Sequence, residues 1–341
     1  MSELTSVIPK GSIILVTGLT GYIATHIAQQ LFAGGYNVRG TVRDLSKASW
    51  LKDELFSTEH AAGKLELVQV PDLAAPEAFN EAVKGVSGVA HVATITSFDP
   101  DPNNVIPQTV EGVLSLLRAA AAQPSVRRVV YTSTAAAAVM PMPGVEGQIG
   151  RDSWNDAAVQ AAWAPPPYEG SRALVTYIAS KVEAEKAVWK FAKEHNPGFT
   201  VNVVSPFTTL GQALHPTHVR GTVGWVEQLW KGDTSQLVML PAAIYVNVKD
   251  VATLHVAALL DPRVKEERIQ AWATPFNWND VLAVLRRLYP THHFVNDLSG
   301  MGKILATTDD TLARRLLKEW AHRDEWTGFE DGIQETVKSF T

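Results

Sequence analysis

An α/β fold is expected: a Rossmann-type doubly wound parallel sheet followed by a smaller mixed α/β C-terminal lobe. Three observations predict it. Short β-branched runs alternate with helix-length segments over the first two-fifths of the chain, a pattern that needs crossover connections and a parallel sheet buried on both faces. A glycine-containing turn joins the first of those runs directly to a helical segment. The composition, 46% hydrophobic and 19% charged over 341 residues, supplies an ordinary globular core.

Taken in order, Ile13-Ile14-Leu15-Val16 reads as a buried strand and Tyr22 to Ala33 as the helix after it. Gly34-Gly35 stops that helix, and Asn37 to Val42 forms the second strand. Leu65 to Val70, Val89 to Val92 and Arg128 to Tyr131 repeat the strand signal, with helical periodicity over Pro76–Val83 and Val105–Ala122 between them. From Ala135 to Pro167 the pattern lapses into a Pro-, Gly- and Trp-rich connection, expected to help wall a substrate site. A long helix around Tyr177 to His195 and a strand at Thr200 to Val204 follow. Beyond Pro206 come a short strand at Tyr245 to Val248 and helices near Asp250–Leu260, Trp278–Leu288 and Asp310–His322. The expected division is a nucleotide-binding unit over 1–205 and a substrate lobe over 206–341, with about 245–260 rejoining the main sheet.

Composition excludes several classes of function. There is no cysteine, hence no disulfide framework, thiolate metal site, iron–sulfur ligation or cysteine nucleophile. Thirty Lys and Arg against 35 Asp and Glu leave a formal charge of −5 without a basic stripe, so neither nucleic acid nor a membrane surface is an expected partner. The first twelve residues lack the apolar run of a signal peptide, and Val129 to Val145 is too interrupted by Thr, Ser and Pro to span a bilayer. A cytoplasmic monomer or homodimer acting on a small molecule is expected.

The sharpest local signal is Thr17-Gly18-Leu19-Thr20-Gly21-Tyr22-Ile23-Ala24. Gly18 permits the tight turn, and Gly21 lets backbone approach a pyrophosphate at the helix N-terminus, where N–H groups and dipole favour negative charge. Ala24 replaces the third glycine of the usual fingerprint and is still small enough for close helix–strand packing. Thr17, Gly18, Thr20, Gly21, Tyr22 and Ile23 are therefore candidate cofactor contacts. The end of the second strand distinguishes the nucleotide. An NAD site expects an acid there; this chain has Arg43, with Lys47 four residues on, and a 2′-phosphate suits both. Asp44 lies past the expected position, so NADPH is the expected cofactor.

Tyr177-Ile178-Ala179-Ser180-Lys181 places a phenol and an ammonium one helical turn apart on one face. An adjacent ammonium is expected to lower the phenol toward neutrality, making it a usable proton donor and acceptor. Thr132-Ser133-Thr134 ends a parallel strand at the carboxyl edge of the sheet, where ligands bind in this architecture. Ser133, Tyr177 and Lys181 form the candidate catalytic set.

With these motifs the chain resembles the extended short-chain dehydrogenase/reductases, in the branch of dihydroflavonol 4-reductases and fungal aldehyde and carbonyl reductases. The resemblance runs from about Gly11 to Ser339 and includes TGLTGYIA, VRGTVRD, Asp72-Leu73, VAHVAT, YTST, YIASK, Pro206 to Gly211 and YVNVKDVA. It implies that Ser133 hydrogen-bonds a substrate carbonyl, that Tyr177 protonates its oxygen as hydride arrives from the nicotinamide, and that Lys181 binds the nicotinamide ribose. It further implies that Asp72 and Leu73 flank the adenine, that Ala93, Thr94 and Thr132 lie along the cofactor, and that Pro206, Thr208 and Thr209 cover the nicotinamide. The asparagine found near Thr109-Val110-Glu111-Gly112 in many relatives is absent, and the 44-residue gap from Ser133 to Tyr177 is longer than in most nucleotide-sugar members.

Phe98, Tyr168, Phe207, Trp225 and Tyr245, together with Ser133, are the candidate substrate contacts. Aromatics at those places suggest an apolar pocket suited to ketones, β-keto esters and aldehydes. The histidine pairs His215/His218 and His292/His293 lack a regular ligand spacing, and no metal is expected. A carbonyl reductase is the leading expectation. An NAD-dependent nucleotide-sugar epimerase or dehydratase on the same fold is the alternative, and a non-catalytic nucleotide sensor a third reading.

Overall fold

A computed structural model describes residues 5–237 and 240–341. Its first half runs β1 (Ile13–Val16), α1 (Tyr22–Ala33), β2 (Asn37–Val42), α2 (Ser57–Ala61), β3 (Leu65–Gln69), β4 (Gly88–His91), α3 (Ile106–Ala121) and β5 (Arg128–Thr132). Next come β6 (Gln148–Ile149), α4 (Asp156–Ala162), α5 (Ala173–His195), β7 (Thr200–Pro206), β8 (Thr208–Leu210) and α6 (Gly221–Trp230). The chain ends with β9 (Ala243–Asn247), α7 (Val248–Leu260), β10 (Arg268–Ala271), β11 (Thr274–Phe276), α8 (Trp278–Leu288), β12 (Thr307–Thr308), α9 (Thr311–Ala321) and α10 (Phe329–Val337).

Seven strands form one sheet in the order β3-β2-β1-β4-β5-β7-β10, with every neighbouring pair parallel. The near-continuous apolar runs follow from burial on both faces. On one face α1 and α7 pack together over Ile14, Val16 and Val38; on the other α3 and α5 cover Leu15, Val89 and Val129. Ile27 and Leu31, one turn apart on α1, are fully buried, each contributing roughly 1.5–3 kcal/mol relative to exposure. Strand order reverses direction between β1 and β4, so the crevice for a ligand opens beyond the carboxyl ends of these two strands. Close packing there depends on Gly40 of β2: a Cβ on it would lie 2.1 Å from Leu19 Cδ2, in the turn after β1.

Two sequence expectations give way here. Pro76–Val83 is a series of turns instead of a helix: Glu77 takes a left-handed φ of +59°, which interrupts the helical ladder, although Phe79, Ala82 and Val83 are buried as the periodicity required. The strand near Tyr245 does not rejoin the main sheet. It is β9, the centre of a three-stranded sheet with β8 and β11, and its chain turns into α7 at Val248. The segment that adds the seventh main strand is β10, a short run that carried no strand signal of its own. The second sheet packs with α6, α8 and α10 around Trp278, Tyr245 and Leu282. Among the described residues no helix is long and apolar enough to cross a membrane.

Candidate active site

The turn after β1 is shaped to admit something against its backbone. Gly18 has φ +66°, and a Cβ there would meet Ala93 Cα and Cβ at 3.2 Å, so the turn after β1 packs closely on the segment that follows β4. A Cβ on Gly21 would lie 3.1 Å from the Gly18 carbonyl oxygen. Gly21 begins α1 in extended conformation without a side-chain cap, which leaves the first-turn N–H groups free for an anion. Thr17 does not face that space. Its buried hydroxyl oxygen accepts from Val92 and Ala93 N–H, both at 3.0 Å, and its proton goes to His91 Nδ1 at 2.9 Å. Burial lowers His91 to about 3, in keeping with a neutral, accepting ring. Thr17 thus ties β1 to β4 and is not among the residues that line the cleft.

A cleft of about 780 Å³ opens at the sheet's carboxyl edge. Of the expected cofactor contacts, Gly18, Thr20, Gly21, Tyr22, Ile23, Arg43, Leu73, Ala93, Thr94, Thr132, Tyr177, Lys181, Pro206 and Thr209 line it. Besides Thr17, three others lie elsewhere. Lys47 is exposed, with its ammonium 3.8 Å from Asp44. The Asp72 carboxylate accepts from Ala74 N–H at 2.9 Å and caps a turn. Thr208 is buried in β8. Asp44 does not line the cleft, and one of its oxygens accepts from the Ser46 backbone N–H and hydroxyl at 2.9 and 2.6 Å. Arg220, Gly221 and Thr222, at the start of α6, also line the cleft and were not anticipated. The available signal was a lone arginine before a helix start, weak without the tertiary fold.

The donor set suits a phosphorylated dinucleotide: a glycine cradle, uncapped helix N–H groups, and Arg43 and Arg220 with no acid opposing them among the lining residues. Thr94 points the same way, its buried hydroxyl lacking a partner among the described residues.

Beyond the glycine turn, the cleft floor is formed by Thr132, Ser133, Tyr177 and Lys181. Lys181, buried, donates to the Tyr131 hydroxyl and to the Thr132 carbonyl, both at 2.8 Å. Burial lowers its pKa to about 7, against the opposing effect of the Glu185 carboxylate. The Thr132 hydroxyl is 2.7 Å from His255 Nε2, and His255 Nδ1 donates to the Val251 carbonyl at 2.8 Å. Burial takes His255 to about 4, so its ring is neutral and Nε2 accepts the threonine proton. Tyr177 departs from expectation: burial raises its hydroxyl above the ordinary tyrosine value, and no ammonium offsets that, because Lys181 is turned to Tyr131 and Thr132. Ser133 also departs from it. Its hydroxyl donates at 2.5 Å to Glu185, which is ion-paired with Arg268 at 2.5 Å.

Of the candidate substrate contacts, Phe207 and Ser133 line the cleft, and the Phe98 ring lies 5.1 Å from that of Tyr177. Phe98 itself does not line the cleft, nor do the other three. Tyr245 is fully buried in the second lobe and donates to the Gly328 carbonyl at 3.1 Å. Trp225 packs edge-on against Trp278 and donates to Gln236 at 3.1 Å. Tyr168 sits beside the Arg172 guanidinium. Nor does any residue of 135–167 line the cleft. Part of that connection packs on the second lobe, through Ala135, Ala138 and Ile149 against Trp272 and Ile304 and through the β6–β12 pairing, and the rest, with α4, packs on α5. His215 stacks on Trp50 with centroids 3.8 Å apart, His218 is buried beside it, and His292 Nε2 bonds the Trp230 carbonyl at 2.9 Å.

This geometry has close counterparts. Residues 14–271 match the NAD dependent epimerase/dehydratase family. The chain is 38% identical to aldehyde reductase 2 of Sporidiobolus salmonicolor, over 98% of both chains. It is also 38% identical to an Aspergillus terreus protein named NAD-dependent epimerase/dehydratase terH, over 99% of this chain and all of that one. The yeast methylglyoxal/isovaleraldehyde reductase, solved in complex with NADPH, shares the fold with a TM-score of 0.78 at 24% identity, over 96% of this chain and 97% of its own. Doubly wound sheet, glycine turn and full-length similarity agree, and the chain belongs to the NAD dependent epimerase/dehydratase family, among the extended short-chain dehydrogenase/reductases.

Proposed function

We propose that this protein is an NADPH-dependent carbonyl reductase that converts ketones, β-keto esters and aldehydes to alcohols, with Tyr177 as general acid. The observation that carries this reading is the meeting, in one cleft, of the glycine turn, Arg43 at the end of β2, and the Ser133, Tyr177 and Lys181 side chains. The name of the Sporidiobolus relative supports the same activity.

NADPH, when bound, supplies the hydride. The glycine turn and the start of α1 hold its pyrophosphate, and Arg43 reads the 2′-phosphate. Tyr177 donates its proton to the carbonyl oxygen as negative charge builds there. A phenol that burial keeps protonated is suited to act in that direction. As an ammonium, Lys181 donates two of its three N–H groups to Tyr131 and Thr132 and keeps the third for the ribose. Phe98 and Phe207 supply apolar surface near the reacting carbon, which suits uncharged substrates. The working division is a cofactor unit over 1–205, to which α7 and β10 return, and a substrate lobe made by the rest of 206–341.

The test is an initial-rate survey of ketones, β-keto esters and aldehydes with NADPH and NADH, with chiral analysis of the alcohols. NADPH-dependent turnover that favours apolar carbonyls is expected. Protein that purifies with stoichiometric NAD and leaves the whole panel unreduced would overturn the reading in favour of a nucleotide-sugar epimerase or dehydratase.

A further inference from the structure

Lys181 carries the one formal charge of the proposed catalytic set, and it is buried, a position that favours loss of its proton. The groups around it decide how far that goes. On α5 itself, Glu185 is an opposite charge one turn on, but its carboxylate is ion-paired with Arg268 of β10 at 2.5 Å, and Tyr177 is a neutral phenol. From β4, His91 is uncharged, its pKa brought to about 3 by burial and then by the Lys181 charge. From α7, His255 is uncharged and is bonded to the Thr132 hydroxyl at 2.7 Å. What touches the ammonium comes from β5: the Thr132 carbonyl and the Tyr131 hydroxyl, both 2.8 Å from Nζ.

The Thr132 carbonyl belongs to the backbone, whereas the Tyr131 hydroxyl is a choice of side chain. Tyr131 is buried, and burial first, then the Glu185 and Tyr177 charges, raise its hydroxyl well above the ordinary tyrosine value, so it stays protonated. Its ring is stacked on His91, with centroids 5.8 Å apart, which holds its oxygen in place. An ammonium has no lone pair, so Tyr131 only accepts from it and turns its own hydrogen elsewhere. Tyr131 borders a cavity of about 10 Å³, room for a single water, beside His91, Thr94 and Gln108. Toward a neutral amine the same phenol can donate instead. A hydrogen bond with a charged donor is roughly twice as strong as a neutral one, so the contact favours the ammonium.

We infer, deepening the reductase reading above, that Tyr131 is a positioning residue: its hydroxyl aims the Lys181 ammonium and keeps more of it charged at neutral pH. Tyr131 then acts on the reaction through Lys181, without touching substrate. The alternative is that Tyr131 only fills the core between the sheet and α5, where it packs with its apolar neighbours. The two differ in whether the hydroxyl changes the protonation of Lys181.

The experiment takes wild type and Tyr131→Phe, which removes the oxygen and keeps the ring, and compares each with its own Lys181→Met derivative. It reads urea unfolding of the cofactor-free proteins across a pH series, and kcat/KM for NADPH of the two parents. Native Lys181 loses its proton before the unfolded chain does, so the stability of each parent relative to its Lys181→Met derivative rises with pH from the native pKa upward. In wild type that rise begins at about 7. In Tyr131→Phe it should begin about one pH unit lower, since losing a bond to an ammonium costs more than losing one to an amine, by about tenfold in the protonation equilibrium. The decline of kcat/KM with rising pH, which reports the free enzyme, should move down by the same amount. A structural role alone would lower stability equally at every pH and leave both onsets together. Onsets that coincide, or one that moves upward in Tyr131→Phe, would overturn the inference. Tyr131→Met, which lacks the oxygen and still fills the core, repeats the comparison should the phenylalanine variant be too unstable to titrate. A wild-type protein that reduces no carbonyl would instead refute the reductase reading, while the unfolding comparison still decides the role of Tyr131.

Discussion

Replacing Arg43 by alanine is the sharpest probe of cofactor choice, because the structure isolates this residue from its neighbours. Arg43 lines the cleft just past β2, whereas Lys47 stands outside it beside Asp44. Asp44 is not among the residues that line the cleft, and no other carboxylate among the described residues lines it either, so none is in place to take over ribose recognition when the guanidinium is removed. A hydrogen bond to a charged group contributes about 1.5–3 kcal/mol, and each 1.4 kcal/mol is tenfold in affinity. Arg43 is solvent-exposed, so screening places its contribution at the low end of that range. Arg43→Ala should therefore raise KM for NADPH roughly tenfold while leaving KM for NADH within about twofold. The gap between the two coenzymes should narrow in high salt. Lys47→Ala should change neither KM by more than about twofold, since surface pairs of its kind contribute little. The assay is initial rate against coenzyme concentration at a saturating carbonyl substrate. An equal rise for both coenzymes would refute the reasoning, as would a Lys47→Ala effect as large as that of Arg43→Ala.

Three further outcomes are expected. Tyr177→Phe should lower kcat by at least about 100-fold with unfolding unchanged, the usual loss when a general acid is removed; full turnover would show that the proton comes from elsewhere. Tyr245→Phe should leave kcat/KM intact and cost about 1 kcal/mol of stability, the loss of its bond to the Gly328 carbonyl, and a large kinetic effect would return it to the substrate site. The third concerns Lys181, whose pKa is lowered from 10.5 to about 7 in the folded chain. Between those values the unfolded state binds the proton and the native state does not, so stability rises with pH. Relative to Lys181→Met, the cofactor-free protein should gain stability from about pH 7 to 10 by at most roughly 1.4 kcal/mol per pH unit, with no such trend below pH 7. Parallel urea-unfolding curves for the two proteins across that range would show that Lys181 keeps its charge.

Much of the fold and part of the site were legible in the chain. The strand at Ile13–Val16 and the helix from Tyr22 were placed correctly because both signals are local: a continuous apolar run, and a turn whose glycines are required by φ and by close approach. Tyr177 and Lys181 were legible for the same reason, one helical turn being a fixed distance. The misreadings share a different cause. Pro76–Val83 has the burial period of a helix, but Glu77 adopts a backbone angle that period cannot report. Tyr168, Trp225 and Tyr245 are candidates by aromatic character, which does not distinguish a core ring from a cleft ring. Gly332 of α10 stands so close that a Cβ on it would lie 2.1 Å from the Tyr245 hydroxyl, a relation across most of the second lobe.

What this sequence determined by itself is whatever depends on neighbours a few residues apart: the alternation that makes a parallel sheet, the glycine turn, the arginine at the end of the second strand, and the phenol and ammonium on one helix face. What only the folded chain decided is whatever depends on partners brought from far away. Glu185 and Arg268 are 83 residues apart in sequence, and they meet because β10 joins the sheet beside β7, under α5. The direction in which Ser133 offers its proton, the turn of Lys181 toward Tyr131, and the exclusion of Lys47 from the cleft follow from such meetings. A hydrogen bond has a direction as well as a range, and residue spacing along a chain specifies neither for groups that meet only after folding.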